Sequence, residues 1–472
     1  MIRKTKIIAT IGPSSNSYKT IKDMVQAGLN VVRLNMSHGT RESHQVVVDI
    51  VKQLREEYGL SLPIMMDNRG PEIRVLNFKN GSVNIKKGQK FAFLAKEILG
   101  DETQVSLNHP NIVNDIKVGD KILACNGLIS FKVISNDGQR VLTKAQTSGV
   151  LSDHKSLFLP NTRLNIDYLN SEDKKDILWA IKNEIEYLAC SFVNSASDIK
   201  SVKDYIHKKG GNIDLIAKIE SKQGVKNLDE IIEISEGIMV ARGDLGVELP
   251  LQTLPKIQKE MIEKARLAGK ICITATEMLE SMTVSPRPTR AETSDVANAV
   301  FDGTTAVMLS GETAVGKYPI EAVKMMSEIA RVAEKNCDYY DMFKRTKFPI
   351  SKYLSDIISY NTASFSFTTN NKAIMVLSDS GRSPRMISRF YPASPIIAIT
   401  DNTQVYQRLN MYWGIVPVLS GLPKQQLNEI IQLCNNTAKE YKIANIGDTI
   451  IISNASRYNE IDSDFIKLHL VK

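Results

Sequence analysis

Two apolar periods alternate along most of this chain. Lys6–Ile11 reads as a short apolar strand, and Tyr18–Ala27 then carries its hydrophobic positions at helical spacing. Val31–Asn35, Arg41–Tyr58 and Pro63–Asp67 repeat strand, helix and strand. From Asn77 to about Ser156 the helical spacing vanishes. Short strands replace it, broken by turns at Lys79-Asn80-Gly81, Lys87-Gly88, Val118-Gly119-Asp120, Asn126-Gly127 and Asp137-Gly138, the pattern of an inserted β domain. The α/β rhythm returns near Ser171. Helices are predicted over Asp173–Asn183, Ala196–Lys208 and Thr293–Phe301, with strands at Tyr187–Phe192, from Leu215, from Gly237, at Ile271–Ala275 and at Ala306–Ser310. Strands interleaved with helices imply a parallel sheet, and the count reaches about the eight that a closed (β/α)8 TIM barrel requires.

A third region begins near Asn336. Helices are expected over Ser355–Thr369 and Pro384–Arg389, and strands at Ala373–Leu377, Ile396–Thr400, Val416–Leu419, Asp448–Ser453 and Phe465–Leu470. The expected architecture is α/β, in three parts. Residues 1–69 and 159–335 form the barrel, 70–158 an inserted small β-barrel lid domain, and 336–472 a C-terminal α/β regulatory domain.

Composition narrows the function. At 472 residues the chain exceeds one ordinary domain, and 43% hydrophobic with 24% charged residues is a globular balance. The net charge of +8 is spread without a long Lys/Arg run, which favours anionic small molecules and argues against nucleic acid. Cys125, Cys190, Cys272, Cys337 and Cys434 are far apart without metal-ligand spacing, so reduced thiols in a cytoplasmic protein are expected. The apolar run Ile7–Ile11 is too short for a signal sequence, and no segment reaches the length of a membrane span.

Charged residues gather where predicted strands end. By strand alternation Lys218 and Glu220 share one face, and Arg242 and Asp244 share one on the next strand. A cation and two carboxylates converging there suit a hard divalent metal and a phosphoryl group in transfer. Solvated strand ends or a structural ion pair are the alternative. Arg33, Asn35 and Ser37 likewise share a face, giving a guanidinium for phosphate beside two neutral oxygens for a cation. Helix capping ahead of Glu42 would also account for Asn35 and Ser37. His38, next to Gly39, reads as a hydrogen-bonded loop residue. The β insertion follows the strand ending at Asp67, where it would serve as a lid, or else as a purely structural insertion. In the third region Ser378, Ser380, Gly381, Arg382 and Ser383 stand between strand and helix as a phosphate cradle for an effector. Capping by Ser383 and repulsion by Asp379 weigh against it.

With these strand ends assembled, the chain resembles pyruvate kinases nearly end to end. The stretches that carry the likeness are RLNMSHG (33–39), DNRGPEIR (67–74), AKIES (217–221), MVARGDLGVE (239–248), ATEMLESM (275–282) and RPTRAETSDVANAVFDGTTAVMLSGETAVGKYP (287–319). The resemblance implies phosphoryl transfer from phosphoenolpyruvate to ADP, giving pyruvate and ATP. It implies Glu220 and Asp244 as ligands of Mg2+ or Mn2+, Lys218 as stabiliser of the phosphoryl group, and Arg33 on the substrate phosphate. Gly243 and Thr276 would contact substrate, Arg74 and Lys155 the nucleotide, and Ser310 would relay a proton to the enolate. Potassium would lie among Asn35, Ser37, Asp67 and the carbonyl of Asn68. Glu72, where potassium-independent relatives tend to carry lysine, would leave a negative site for that ion, so activation by potassium is predicted. A cytoplasmic homotetramer with a phosphorylated effector is implied, and no phosphocarrier-like domain is expected after Lys472.

The chain also departs from the pattern. Asn68-Arg69 replaces Thr-Lys, and Lys155-Ser156-Leu157-Phe158-Leu159-Pro160-Asn161 lacks the usual glycines of the second lid hinge, which restricts it. Cys125-Asn126 replaces a pair of aspartates, Thr305 another aspartate, and Asn194 an arginine. Ser456–Asp462 lacks the glycines of the family's effector loop, so a sugar phosphate other than fructose bisphosphate, a nucleotide, or weak regulation is expected. The competing reading is a paralogue that senses phosphometabolites with little turnover.

Overall fold

Eight parallel strands close into a barrel in the computed structural model, which describes residues 2–160, 162, 165–346, 354–421, 427–454 and 465–472. They are Lys6–Thr10, Val31–Asn35, Ile64–Asp67, Tyr187–Cys190, Asp214–Ile219, Gly237–Ala241, Ile271–Ala275 and Ala306–Leu309. The eighth closes on the first, with Ala306 opposite Lys6. Three strands stop one or two residues earlier than the apolar pattern suggests, because the chain leaves extended geometry as it turns over the barrel mouth. Phe192, expected in a strand, has φ +55°.

Alternation along the strands builds two cores. One set of positions, including Ile7, Val32, Leu34, Met66, Leu188 and Leu215, packs outward against the ring of helices. The other set, including Ile8, Val31, Met65, Ala189, Ile216, Met239, Ile273 and Met308, belongs to a second cluster shared with Ile374, Val376 and Ile396 of the C-terminal sheet. Helix Arg41–Tyr58 begins as a capping box in which Thr40 accepts from the Ser43 N–H at 3.3 Å, and it ends at Gly59 with φ +60°. The cap is therefore Thr40, and Asn35 and Ser37 have no part in it.

Between the third strand and helix Ser171–Lys182 stands the inserted β structure. Among the described residues its strands form a six-stranded sheet and a two-stranded ribbon, with no single closed ring of pairing. Phe91, Phe93 and Phe131 pack edge to face or tilted at its centre and are fully buried. Each such ring contributes roughly 1.5–3 kcal/mol by its removal from water. The C-terminal sheet orders its strands Ile415–Leu419, Ile396–Thr400, Asn371–Leu377, Thr449–Asn454 and Phe465–Leu470, the last antiparallel. It docks under the barrel through Lys6 Nζ to Ile415 O at 2.6 Å and Tyr187 Oη to Arg408 O at 2.7 Å. Among the described residues no helix is long and apolar enough to cross a membrane.

Candidate active site

The inward-facing ladder of the barrel turns polar at the carboxyl ends of its strands. Two positions beyond Ile8, Val31, Met65, Ala189, Ile216 and Met308 stand Thr10, Arg33, Asp67, Ser191, Lys218 and Ser310. Residues i and i+2 on a strand share a face, so the side chains that line the mouth continue the rows that fill the barrel.

Asp67 links the strongest charges. Its Oδ2 accepts from Arg33 Nε at 2.8 Å and lies 2.7 Å from Nη2, while its Oδ1 lies 3.1 Å from Lys218 Nζ and accepts from Ser191 Oγ at 3.1 Å. Lys218 Nζ also lies 3.1 Å from Glu220 Oε1 and donates to Ser191 Oγ at 2.7 Å. Arg33 Nη1 donates to Thr10 Oγ1 at 2.7 Å. Asp67 and Glu220 are each only 1% exposed. Burial works against ionisation of Asp67, but Lys218 and Arg33 prevail and hold its carboxyl below the usual value. Burial also works against the Lys218 ammonium, and Asp67 and Glu220 overcome it, so the lysine stays charged.

Glu220 has too little positive charge around it. Burial pushes its carboxyl up to about 7, with Asp244 adding to the rise and Lys218 opposing it. Asp244 is raised as well, first by burial, and stands in hydrogen-bond contact with Glu220. Two buried carboxyl groups held against each other, both disfavoured as anions, are the donor set a divalent cation satisfies. Among the described residues no group of three or more acidic, histidine or cysteine side chains surrounds a metal position. Glu220 and Asp244 supply two carboxylate donors, a set that fits a hard divalent cation which takes few protein ligands, as magnesium does.

The shared strand face expected for Arg242 and Asp244 is corrected. The strand stops at Ala241, and Arg242–Glu248 is a helix, on which residues two apart point about 200° from one another. Asp244 turns to Glu220, while Arg242 Nη1 binds both oxygens of Asp295, at 2.8 and 2.6 Å. Arg242 also donates to the carbonyls of Ala275 and Thr276. Those bonds brace a turn in which Thr276 and Glu277 have φ +68° and +53°, a conformation that a β-branched residue takes only under constraint. The Thr276 hydroxyl accepts from the Gly243 N–H at 2.8 Å. Ser310 N–H donates to Glu312 at 2.7 Å, and the other Glu312 oxygen accepts from Leu279 N–H at 3.0 Å, tying the seventh and eighth strand ends together.

Asn35 sits opposite Asp67 in the strand register, and its Oδ1 accepts from the Ser37 N–H at 3.1 Å. The Asn68 carbonyl accepts from Ser191 Oγ at 2.8 Å, while Ser37 is exposed beyond the strand. Asn35, Asp67 and Asn68 thus place anionic and neutral oxygens side by side, a set that fits a monovalent cation. His38 offers its carbonyl to the ring of His44, as a loop residue would.

At the base of the insertion Arg74 donates to Glu72 at 2.8 Å and to His154 O at 2.8 Å, and Lys155 is exposed. Glu72 is not the bare negative site that the sequence suggests, because Arg74 balances it and the Ser156 hydroxyl donates to its other oxygen. Leu157 and Phe158 pair with Ala124 and Leu123. Asn161 of the hinge lies outside the described residues, as does Ser456–Asp462. In the C-terminal loop the buried Ser378 hydroxyl accepts from the Gly381 N–H at 3.0 Å, and Ser383 is buried too. Only Ser380 and Arg382 of that expected cradle present side chains outward.

Sequence reasoning missed Ser191, Thr10 and Glu312 as site residues, and it placed Arg242 only on a strand face shared with Asp244. Ser191 and Thr10 carry one usable signal, their place two residues beyond inward-facing apolar positions. Glu312 carries none, and neither does the bracing role of Arg242, because both depend on loops that strand periodicity does not reach.

A family model described as "Pyruvate kinase, barrel domain" matches residues 2–323, and one described as "Pyruvate kinase, alpha/beta domain" matches residues 356–469. A pyruvate kinase of Clostridium perfringens is 41% identical over 456 residues, covering 96% of both chains. That of Geobacillus stearothermophilus is 39% identical over 475 residues, covering 100% of this chain and 81% of its own. One from Staphylococcus aureus is 39% identical over 477 residues with the same coverage.

Proposed function

This chain belongs to the pyruvate kinase family, and from that membership we propose how its barrel mouth carries out the reaction. The enzyme moves the phosphoryl group of phosphoenolpyruvate to ADP, giving pyruvate and ATP in glycolysis. The observation that carries the site assignment is Lys218, 3.1 Å from both Asp67 and Glu220, with Asp244 against Glu220. Phosphoryl transfer leaves little covalent work to the protein, so position and charge must supply the catalysis.

The bond from phosphorus to the enolate oxygen breaks as one forms to a terminal oxygen of ADP. Lys218 faces the charge on the group in flight, and Arg33 holds the substrate phosphate with its planar fork. Glu220 and Asp244 hold Mg2+ or Mn2+, which when bound neutralises phosphate charge. Thr276, fixed against Gly243, orients the substrate. The departing enolate takes a proton at carbon, delivered by way of Ser310. Asn35, Ser37, Asp67 and the Asn68 carbonyl hold potassium, and Arg74 and Lys155 meet the nucleotide. Residues 70–158 act as the lid that excludes water, on the barrel of 1–69 and 159–335. Residues 336–472 form the regulatory part, with Ser380 and Arg382 facing a phosphorylated effector, in a cytoplasmic homotetramer.

A coupled assay for pyruvate on the full chain tests this reading, in buffers with and without Mg2+ and with and without K+. Turnover should fall to background when Mg2+ is chelated and several-fold without K+. Chelator-insensitive turnover would remove the role given to Glu220 and Asp244, and equal rates without potassium would remove that of Asn35 and Asp67.

A further inference from the structure

The fourth barrel strand ends at Cys190, and three successive residues of the turn that follows grip the fifth strand. Ser191 Oγ accepts from Lys218 Nζ at 2.7 Å, Phe192 N–H donates to Glu220 Oε2 at 2.6 Å, and Val193 N–H donates to the Lys218 carbonyl at 3.3 Å. In this turn Phe192 takes φ +55°, a conformation that its bulky side chain disfavours and that the surroundings must hold.

The turn is itself clamped. Ser191 is only 3% exposed. Its N–H donates to Asn68 Oδ1 at 2.8 Å, and its carbonyl accepts from the Tyr168 hydroxyl at 2.7 Å. Gly70, at φ +66°, lies so close that a β-carbon there would come within 2.7 Å of the Ser191 carbonyl oxygen. A hydroxyl has one proton and two lone pairs, while an ammonium has three protons and no lone pair, so Lys218 can meet Ser191 only through a lone pair of the serine. The serine's own proton goes the other way, to the end of the third strand, where the Asn68 carbonyl is 2.8 Å and Asp67 Oδ1 3.1 Å away. The other two contacts of Lys218 Nζ, Asp67 and Glu220, are carboxylates at 3.1 Å each. Of the three, Ser191 is the nearest and the neutral one.

We propose that Ser191 is a positioning residue for the phosphoryl transfer: its hydroxyl, oriented by the Asn68 carbonyl and Asp67, fixes the Lys218 ammonium between the two carboxylates. This role rests on Lys218 facing the phosphoryl group in flight. Two acceptors leave the lysine nitrogen free to swing about the line between them, and a third pins it. A third carboxylate would pin it too, but would repel the incoming phosphate, whereas a hydroxyl adds no charge. Ser191 acts through the lysine, so what it contributes is the place of a charge in the transition state.

Steady-state pyruvate assays on the full chain at saturating Mg2+ and K+ test it. Ser191→Ala should lower kcat roughly tenfold, the effect of one hydrogen bond to a charged group. KM for phosphoenolpyruvate should stay unchanged, since the contact acts on the group in transfer and not on substrate binding. Ser191→Cys fills the space with a weak acceptor and should lower kcat as far, so it also carries the test if the alanine variant does not fold. In a Lys218→Met background Ser191→Ala should cost nothing further, because the hydroxyl then has no ammonium to hold. An unchanged kcat, a loss that appears in KM alone, parental kcat in Ser191→Cys, or the same loss persisting without Lys218 overturns the proposal and leaves Lys218 in its role. Parental turnover of Lys218→Met itself would instead remove the role given to Lys218, and that of Ser191 with it.

Discussion

Lys218 stands between two carboxylates, so its removal does more than delete one charge. Lys218→Met leaves Glu220 without its cation and Asp67 with Arg33 alone beneath the incoming phosphate, and kcat should fall by about 10²–10³, as when one preorganised electrostatic group is lost. A pyruvate assay at saturating metal checks it. A second residue bears on pH. Asp173 is buried and accepts from the Arg69 N–H at 3.2 Å, and burial raises its pKa from 3.8 to about 6. The folded chain therefore holds this proton more tightly than the unfolded one. The stability it confers is whole below pH 3.8 and is lost as the pH rises through 6, about 3 kcal/mol in all. Asp173→Asn should flatten the curve of unfolding free energy against pH between 4 and 6, measured by denaturant titration. Arg33, Lys218 and Glu220 were legible in the sequence because charges recur at the ends of neighbouring apolar strands, whereas the role of Asp67 came only from the family resemblance. Ser191 and Thr10 were not, since a hydroxyl at a strand end carries no charge to set it apart from its neighbours.

Short elements after the strands decide where the site side chains point. The stretch Arg242–Glu248 follows the apolar run Gly237–Ala241 directly, with no cap or breaker to announce a helix, and strand alternation was carried too far into it. What that helix presents is Arg242, tied to Asp295 on helix Arg290–Phe301 and to the strained turn at Thr276 and Glu277. Asp295→Asn should let the turn relax and lower kcat roughly tenfold, with a smaller change in KM for phosphoenolpyruvate, because positioning of bound substrate is what suffers. Asp295→Glu should restore part of it, and steady-state kinetics on both variants decides. Helix Arg41–Tyr58, by contrast, could be read to its ends, since an amphipathic period between Thr40 and Gly59 carries its own start and stop signals.

Across the whole molecule the strand count made the barrel legible, because a parallel closed sheet needs only local repeats. How the C-terminal region docks was not legible. It depends on contacts such as Lys6 to Ile415, 409 residues apart, which no local pattern announces. The barrel interior and the C-terminal sheet share one apolar cluster, so a chain ending at residue 335 would expose Ile8, Met65, Ile216 and Met308 at the barrel base. That fragment should aggregate or melt well below the full chain, as light scattering and a thermal scan will show. The rows filling the barrel are the same rows that end in Arg33, Asp67 and Lys218, so the floor and the tools above it form successive storeys of one building. Shaving Ile216 to alanine, a routine core change elsewhere, would here tilt the lysine standing on it, and this enzyme could not adjust its stability at that level without also retuning its chemistry.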